Sequence, residues 1–447
     1  MLNTIFTRPP HLISPPIVVG TDDNTHDSSS SDIAMRRVLD ALQAAVTIQL
    51  KTIDRPAFRN DDDADDYSYP NPLDKTKLSV LPLDKPPAPV MIMFSGGVDS
   101  TLIAALTHLA LNEIEREEEE REEGRGEAKD TNSTFTTSPS IDNKNPSYNR
   151  RPIDLVCVCF DPNKASPDRL SAISALKELQ TFAPQRQWRL LMREPTEEEQ
   201  DALRSRLLHL LAPADTYMDF NIGMALWFAG QGRGKLVELV FEDSDGEEKN
   251  DRNMRMGSSS LLSPSSSSHQ HQHQPPPGTP EYTCCQHDYE SQARVVLVGH
   301  GADELFGGYG RHRTRFRAGR WEGLNSEMEL DTSRLWVRNL GRDDRLIADH
   351  FRETRHPFLD ENVVELAIKE LGLWDICQLT QPLGVGDKKV LRRVLGEELG
   401  LVEAGRRVKR AIQFGSRLAR QTNLREFGGT RQANAAKAGA AKMKDVV

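Results

Sequence analysis

Hydrophobic positions along this chain come in short blocks whose spacing changes from one block to the next. Met35, Val38, Leu39, Leu42, Ala45 and Val46 recur at three- and four-residue steps, which predicts an amphipathic helix with Asp32 as its N-cap. Pro89 to Phe94 is a continuous apolar run leading into a Gly-rich turn, and Thr101 to Leu111 returns to helical spacing, so the three form a strand–loop–helix unit. Further apolar runs at Ile153–Phe160, Trp188–Met192 and Arg294–Val298 suit strands covered on both faces. Arg169–Phe182, Glu197–Leu211 and Asp219–Gly230 read as helices between them. This alternation predicts an α/β fold with a doubly wound parallel sheet, followed by a mostly helical part from Arg334 to about Ala419.

Polar, low-complexity sequence separates these blocks. Residues 1–31 and the basic tail 421–447 are expected to be disordered, and 32–88 to hold a leading helix and a linker. One domain is expected over 89–420, with inserts at about 112–151 and 243–292. The second insert carries Ser265–Ser268 and alternating histidines from His269 to His273, read as a solvated loop rather than a metal site. With only 37% hydrophobic and 6% aromatic residues, the chain can bury one sizeable core but not several.

Charge changes the picture little. The net charge is −10, but Glu113 to Asp130 alone holds ten acidic and four basic residues, read as a solvated helical extension. The remainder gives no reason to expect a nucleic-acid partner or a membrane surface. The five cysteines have no zinc spacing, and Cys157 and Cys159 share one face of a predicted strand, as reduced core thiols do. No apolar stretch reaches membrane-spanning length and the first residues lack a secretory pattern, so the cytoplasm is the expected location.

Candidate chemistry begins at Ser95-Gly96-Gly97-Val98-Asp99-Ser100, between the first strand and its helix. Gly96 and Gly97 let backbone N–H groups approach phosphate oxygens, Ser95, Ser100 and Thr101 offer hydroxyls, and the helix N-terminus adds its partial positive charge. A carboxylate at Asp99 among phosphate donors points to a bound cation, Mg²⁺ first. No Gly-Lys-Ser/Thr follows, so the loop is not of the Walker type. It resembles the signature of the PP-loop ATP pyrophosphatases (the adenine nucleotide alpha hydrolase-like fold), which cleave ATP to AMP and pyrophosphate and include GMP, NAD and argininosuccinate synthetases.

A second run narrows the resemblance. Gly299-His300-Gly301-Ala302-Asp303-Glu304-Leu305-Phe306-Gly307-Gly308-Tyr309 resembles the second signature of asparagine synthetases. Ser166-Pro167-Asp168, Glu353 to Asp360 around Arg355, and Lys388-Lys389-Val390-Leu391-Arg392 are similar to further segments of that family. Arg338 to Asp344, Gln413 to Arg417 and Ile222 to Phe228 look like the branch of asparagine synthetase domain-containing proteins. The resemblance implies Mg²⁺ on Asp303 as well as Asp99, and ATP or pyrophosphate against Val98, Gly299 and Gly301. Asp168, Arg355 and Lys388 become substrate anchors or structural partners.

Departures from the family matter for function. Full asparagine synthetases carry an N-terminal glutaminase whose cysteine stands at residue 2; here that residue is Leu2 and the first cysteine is Cys157. The chain is therefore expected not to hydrolyse glutamine. Ammonia would be used directly or come from a separate glutaminase partner, unless an N-terminal part is missing from this sequence. His300 stands where the family has a glutamate that handles the ammonia proton, and imidazole can take that role. The family's lysine before Gln-Phe is replaced by Ala411, leaving Lys409 and Arg410 as the cations to steady the phosphorus. The expectation is an asparagine synthetase-like ligase that adenylates a carboxylate, aspartate first, and amidates it with ammonia. The alternatives are adenylation of another acceptor, or a degenerate ATP-binding scaffold of the same fold.

Overall fold

A computed structural model describes residues 6–15, 28–53, 86–127, 150–161, 163, 165–239, 282–430 and 441–443. The His269–His273 tract, Ser265–Ser268 and the linker up to residue 85 lie outside them. Strands β1 (Val90–Met93), β2 (Ile153–Val158), β3 (Trp188–Arg193), β4 (Arg233–Leu239), β5 (Tyr282–Glu290), β6 (Val295–Leu297) and β7 (Glu353–Arg355) form one sheet in the order β5-β4-β3-β2-β1-β6-β7. Strands β3, β2, β1, β6 and β7 are parallel. The doubly wound part of the expectation therefore holds, but the sheet is mixed: β4 and β5 add an antiparallel pair at one edge. Strand β5 occupies the last residues of the stretch expected to be a low-complexity insert.

Alternation along the parallel strands explains why their sequences are apolar throughout. Val90, Ile92, Leu155, Cys157, Leu190 and Leu297 enter one core cluster, while Met91, Val156, Leu191 and Val296 enter a second on the opposite face. Both faces need cover, and helices supply it. Helices α1 (Ser28–Lys51), α2 (Val98–Glu127) and α3 (Pro167–Phe182) pack on the first face, with the C-terminal segments around Val390–Leu395. Helices α4 (Glu197–Leu211) and α5 (Tyr217–Gly230) cover the second.

Helix α1 starts at Ser28, four residues before the predicted N-cap, and Asp32 pairs with Arg393 instead. Its apolar stripe, with Met35, Val38, Leu42 and Val46 fully buried, belongs to the same core as the sheet. The acidic extension of α2 is not merely solvated. Lys51 reaches Glu113 and Glu117 at 3.4 and 2.8 Å, Arg186 reaches Glu115 at 2.7 Å, and Arg151 pairs with Glu118.

Beyond β6 the chain is largely helical, with three π-helical turns at Trp336–Leu340, Leu366–Glu370 and Val394–Glu398. The tail returns: residues 441–443 pair with the start of α5 through Thr216 and Lys442, and Met443 is buried in the second cluster. Cys157, Cys159 and Cys377 are free and buried. Among the described residues no helix is long and apolar enough to cross a membrane.

Candidate active site

The strand order reverses direction at β1, whose neighbours are β2 on one side and β6 on the other. In open α/β sheets, ligands bind outside the carboxyl ends of strands at such a switch point. Both sequence motifs lie there. The loop Ser95–Gly97 follows β1 and feeds α2, while Gly299–Gly301 follows β6 and feeds the short helix α6 (Ala302–Leu305). A cleft of about 410 Å³ opens between them, lined by Ser95, Gly97, Val98, Asp99, Ser100, Asp168, Gly299, His300, Asp303, Lys388, Lys409 and Arg410 among others.

The loop's two glycines have different reasons. Gly96 has φ +68°, and a Cβ there would lie 2.2 Å from Ser171 O on α3, so the loop must pass against that helix without a side chain. Gly97 has only Ser95 Oγ at 3.4 Å from such a Cβ, which leaves its cleft side open. The Arg407 guanidinium donates to Gly96 O at 2.5 Å and to Ser174 Oγ at 2.8 Å, pinning the loop to α3. Ser100 Oγ donates to Gly97 O at 3.3 Å, and the Thr101 hydroxyl is buried behind the loop.

Asp99 and Asp303 come from motifs about two hundred residues apart and meet around one ammonium. Lys388 Nζ lies 2.8 and 2.6 Å from the two Asp99 oxygens and 2.6 Å from Asp303 Oδ1. Lys409 Nζ contacts the other Asp303 oxygen. Burial by itself would raise Asp303, but the two ammoniums outweigh it and hold the carboxyl far below the carboxylate range. Burial likewise works against a charged Lys409, and the Asp303 and Asp99 carboxylates reverse that, raising its pKa.

Room for this cluster comes from Gly308, where a Cβ would lie 2.0 Å from Asp303 Oδ1 and 2.3 Å from Lys388 Cε. The Gly-Gly-Tyr segment thus has a steric reason. Tyr309 follows, its hydroxyl donating to Glu304 Oε1 at 2.6 Å, and burial raises the Glu304 carboxyl, with Asp303 beside it adding to the effect.

His300 projects from the β6 end with Nε2 3.1 Å from Asp343 Oδ2, its ring stacked on His356 at 5.4 Å. Asp343 is fully buried and accepts from Arg342 Nε at 2.7 Å; Arg342 continues to Asp219 at 2.8 Å. Asp168 stands in the first turn of α3, whose N-cap Ser166 accepts from Arg169 N at 3.3 Å. Its carboxyl packs over Gly415, and burial pushes it up to about 7 although Lys409 and Arg410 act to lower it.

Neither Gly301, expected against ATP or pyrophosphate, nor Arg355, expected as a substrate anchor or structural partner, is among the residues lining the cleft. Gly301 has φ +94°, and Leu359 and Phe358 fill the space where its side chain would be, so packing alone requires a glycine there. Arg355 is outside the cleft: it pairs with Glu353 and donates to Thr52 Oγ1 and the Gln49 carbonyl, holding the end of α1 to β7. Arg407, Glu304, Tyr309 and Arg338 were not singled out as site residues from sequence, yet all line the cleft.

A family model described as asparagine synthase matches residues 253–323 and 316–435, which include Asp303, Lys388 and Lys409 but not the Ser95–Ser100 loop. The chain is 36% identical over 360 residues to asparagine synthetase domain-containing protein 1 of Homo sapiens, covering 76% of this chain and 46% of that protein. The Mus musculus protein of the same name is 36% identical over 350 residues, 74% of this chain and 46% of its own length. A Methanocaldococcus jannaschii protein named putative asparagine synthetase (glutamine-hydrolyzing) 1 is 45% identical over 91 residues, 20% of this chain and 17% of its own. The chain spans about half the length of the mammalian relatives it matches. With these matches and a PP-loop sheet carrying both motifs at its switch point, the chain belongs to the asparagine synthase family, with the asparagine synthetase domain-containing proteins among its relatives.

Proposed function

We propose that this chain is an ATP-dependent amide ligase of the asparagine synthetase type. The observation that carries the reading is the convergence of Asp99 and Asp303, in the first turns of the helices that follow neighbouring parallel strands, on the Lys388 ammonium beside the Gly96–Gly97 loop. A carboxylate substrate, aspartate by first choice, attacks the α-phosphorus of ATP. A carboxylate–phosphorus bond forms, and pyrophosphate leaves toward the N-H groups and hydroxyls of Ser95, Gly96, Gly97 and Ser100. Ammonia, free or delivered by a separate glutaminase, then attacks the acyl carbon and AMP departs.

Among the described residues no three His, Cys, Asp or Glu side chains gather as a metal cage. Two carboxylates are nevertheless what a protein supplies to Mg²⁺ that is also held by nucleotide phosphates. Asp99 and Asp303 fit that donor set. When bound, the ion neutralises charge building on the pyrophosphate. Lys409, rather than position 411, brings a cation to the reacting phosphorus, with Arg410 at the cleft mouth. His300 takes the proton released as ammonia attacks, and the Asp343 carboxylate facing Nε2 stabilises the resulting imidazolium.

A second reading, a nucleotide-binding scaffold without turnover, draws on the same cluster, because Lys388 already pairs with both carboxylates. Pyrophosphate release from ATP, with Mg²⁺, aspartate and ammonium present, separates the two. Release that requires aspartate and disappears in Asp99→Ala supports the ligase; ATP binding without release, whatever carboxylate is offered, leaves the scaffold.

A further inference from the structure

Lys388 is held in place at both its backbone and its side chain. Its backbone sits at φ +52°, ψ +35°, a left-handed conformation that a residue with a Cβ adopts only when its surroundings impose it. Its N–H donates to Phe306 O at 3.1 Å, anchoring it to the segment that follows Asp303. The side chain is almost fully buried and runs past Gly308 to the point where Asp99 and Asp303 converge. Lys409 adds a second ammonium on Asp303. Two carboxylates and two ammoniums thus cancel before any ligand arrives.

A divalent cation approaching alone finds both carboxylates already paired with ammoniums, and the shared point between them is taken. A nucleotide triphosphate changes the balance. Its phosphate oxygens accept hydrogen bonds from an ammonium and would add oxygen ligands for Mg²⁺ to those of the two carboxylates.

We propose that Lys388 is a resident counter-ion that makes divalent-cation loading conditional on nucleotide. The metal enters with the triphosphate, and the ammonium moves from the carboxylates to the phosphates as it does so. This rests on the reading of Asp99 and Asp303 as the metal carboxylates.

The test measures Mn²⁺ binding by the electron paramagnetic resonance of free Mn²⁺, with and without a non-hydrolysable ATP analogue. Lys388→Met keeps the aliphatic stem and removes the charge. Without nucleotide, the variant should bind Mn²⁺ at least tenfold more tightly than the wild type, and Asp303→Asn in the variant background should abolish the gain. The wild type should gain Mn²⁺ affinity when the analogue is added. Equal Mn²⁺ affinity of wild type and variant overturns the proposal. If circular dichroism shows the variant unfolded, the wild type decides alone: Mn²⁺ bound equally well with and without analogue overturns it. An analogue that does not bind at all counts against the ligase reading, while the nucleotide-free comparison still decides the role of Lys388.

Discussion

Gly308 limits the size of the site's charged cluster from below. Gly308→Ala drives a methyl group into Asp303 Oδ1 and the Lys388 stem, which are fixed on one side by α6 and on the other by a left-handed backbone. Overpacking of this kind costs about 1–3 kcal/mol. The expected result is a folded protein with a lowered urea midpoint and nucleotide affinity reduced by more than tenfold; unchanged affinity in calorimetry would show that the cluster has slack. Asp168 offers a pH-resolved prediction. Burial raises its folded pKa to about 7 from an ordinary value near 3.8, so the native state holds a proton that the unfolded chain gives up between those values. Its contribution is full below about pH 4 and is lost as pH rises through about 7, a change of up to about 4 kcal/mol. Asp168→Asn should therefore flatten the decline in thermal midpoint between pH 4 and 7. Parallel midpoint curves for wild type and variant would show that Asp168 is ionised throughout.

At the scale of elements, the phosphate loop owes its shape to a strap from the far end of the chain. Arg407 ties Gly96 O to Ser174 and Glu178 of α3, so the loop is set against the helix before any ligand binds. Arg407→Ala removes a charged hydrogen bond worth about 1.5–3 kcal/mol. About tenfold weaker binding of a non-hydrolysable ATP analogue, with the thermal midpoint lowered by several degrees, is the expected outcome. Sequence could not pick this residue out. Arg406, Arg407, Lys409 and Arg410 form one basic run with no local cue to which side chain turns inward. Asp99 and Asp303 were legible because each opens a helix just beyond a Gly-rich loop that follows an apolar strand. The β4–β5 pair was not: Tyr282–Glu290 is polar and adjoins Ser-, His- and Pro-rich sequence, so neither period nor composition marks it. Helix α1 was legible as a helix from its spacing, but its membership of the sheet's core depends on packing partners more than fifty residues away.

Over the whole molecule, closure comes from both ends. Helix α1 seals one face of the sheet and residues 441–443 strap the other, with Met443 N donating to Asp215 O at 2.8 Å and its side chain buried. Truncation before Ala441 should cost about 1.5–3 kcal/mol, the worth of one buried apolar side chain, read as a lower urea midpoint. An unchanged midpoint would show that the strap is open in solution. The position of β1 has a further consequence, for synthesis on the ribosome. Its partner β2 follows within sixty residues, but β6, which covers its other edge, begins about two hundred residues later. At roughly 5–20 residues per second, that edge waits about 10–40 s with its N–H and C=O groups unpaired. A nascent chain stalled before β6 would therefore present a sticky apolar strand at the open edge of an unfinished sheet, and this interval is when a chaperone would have most to protect.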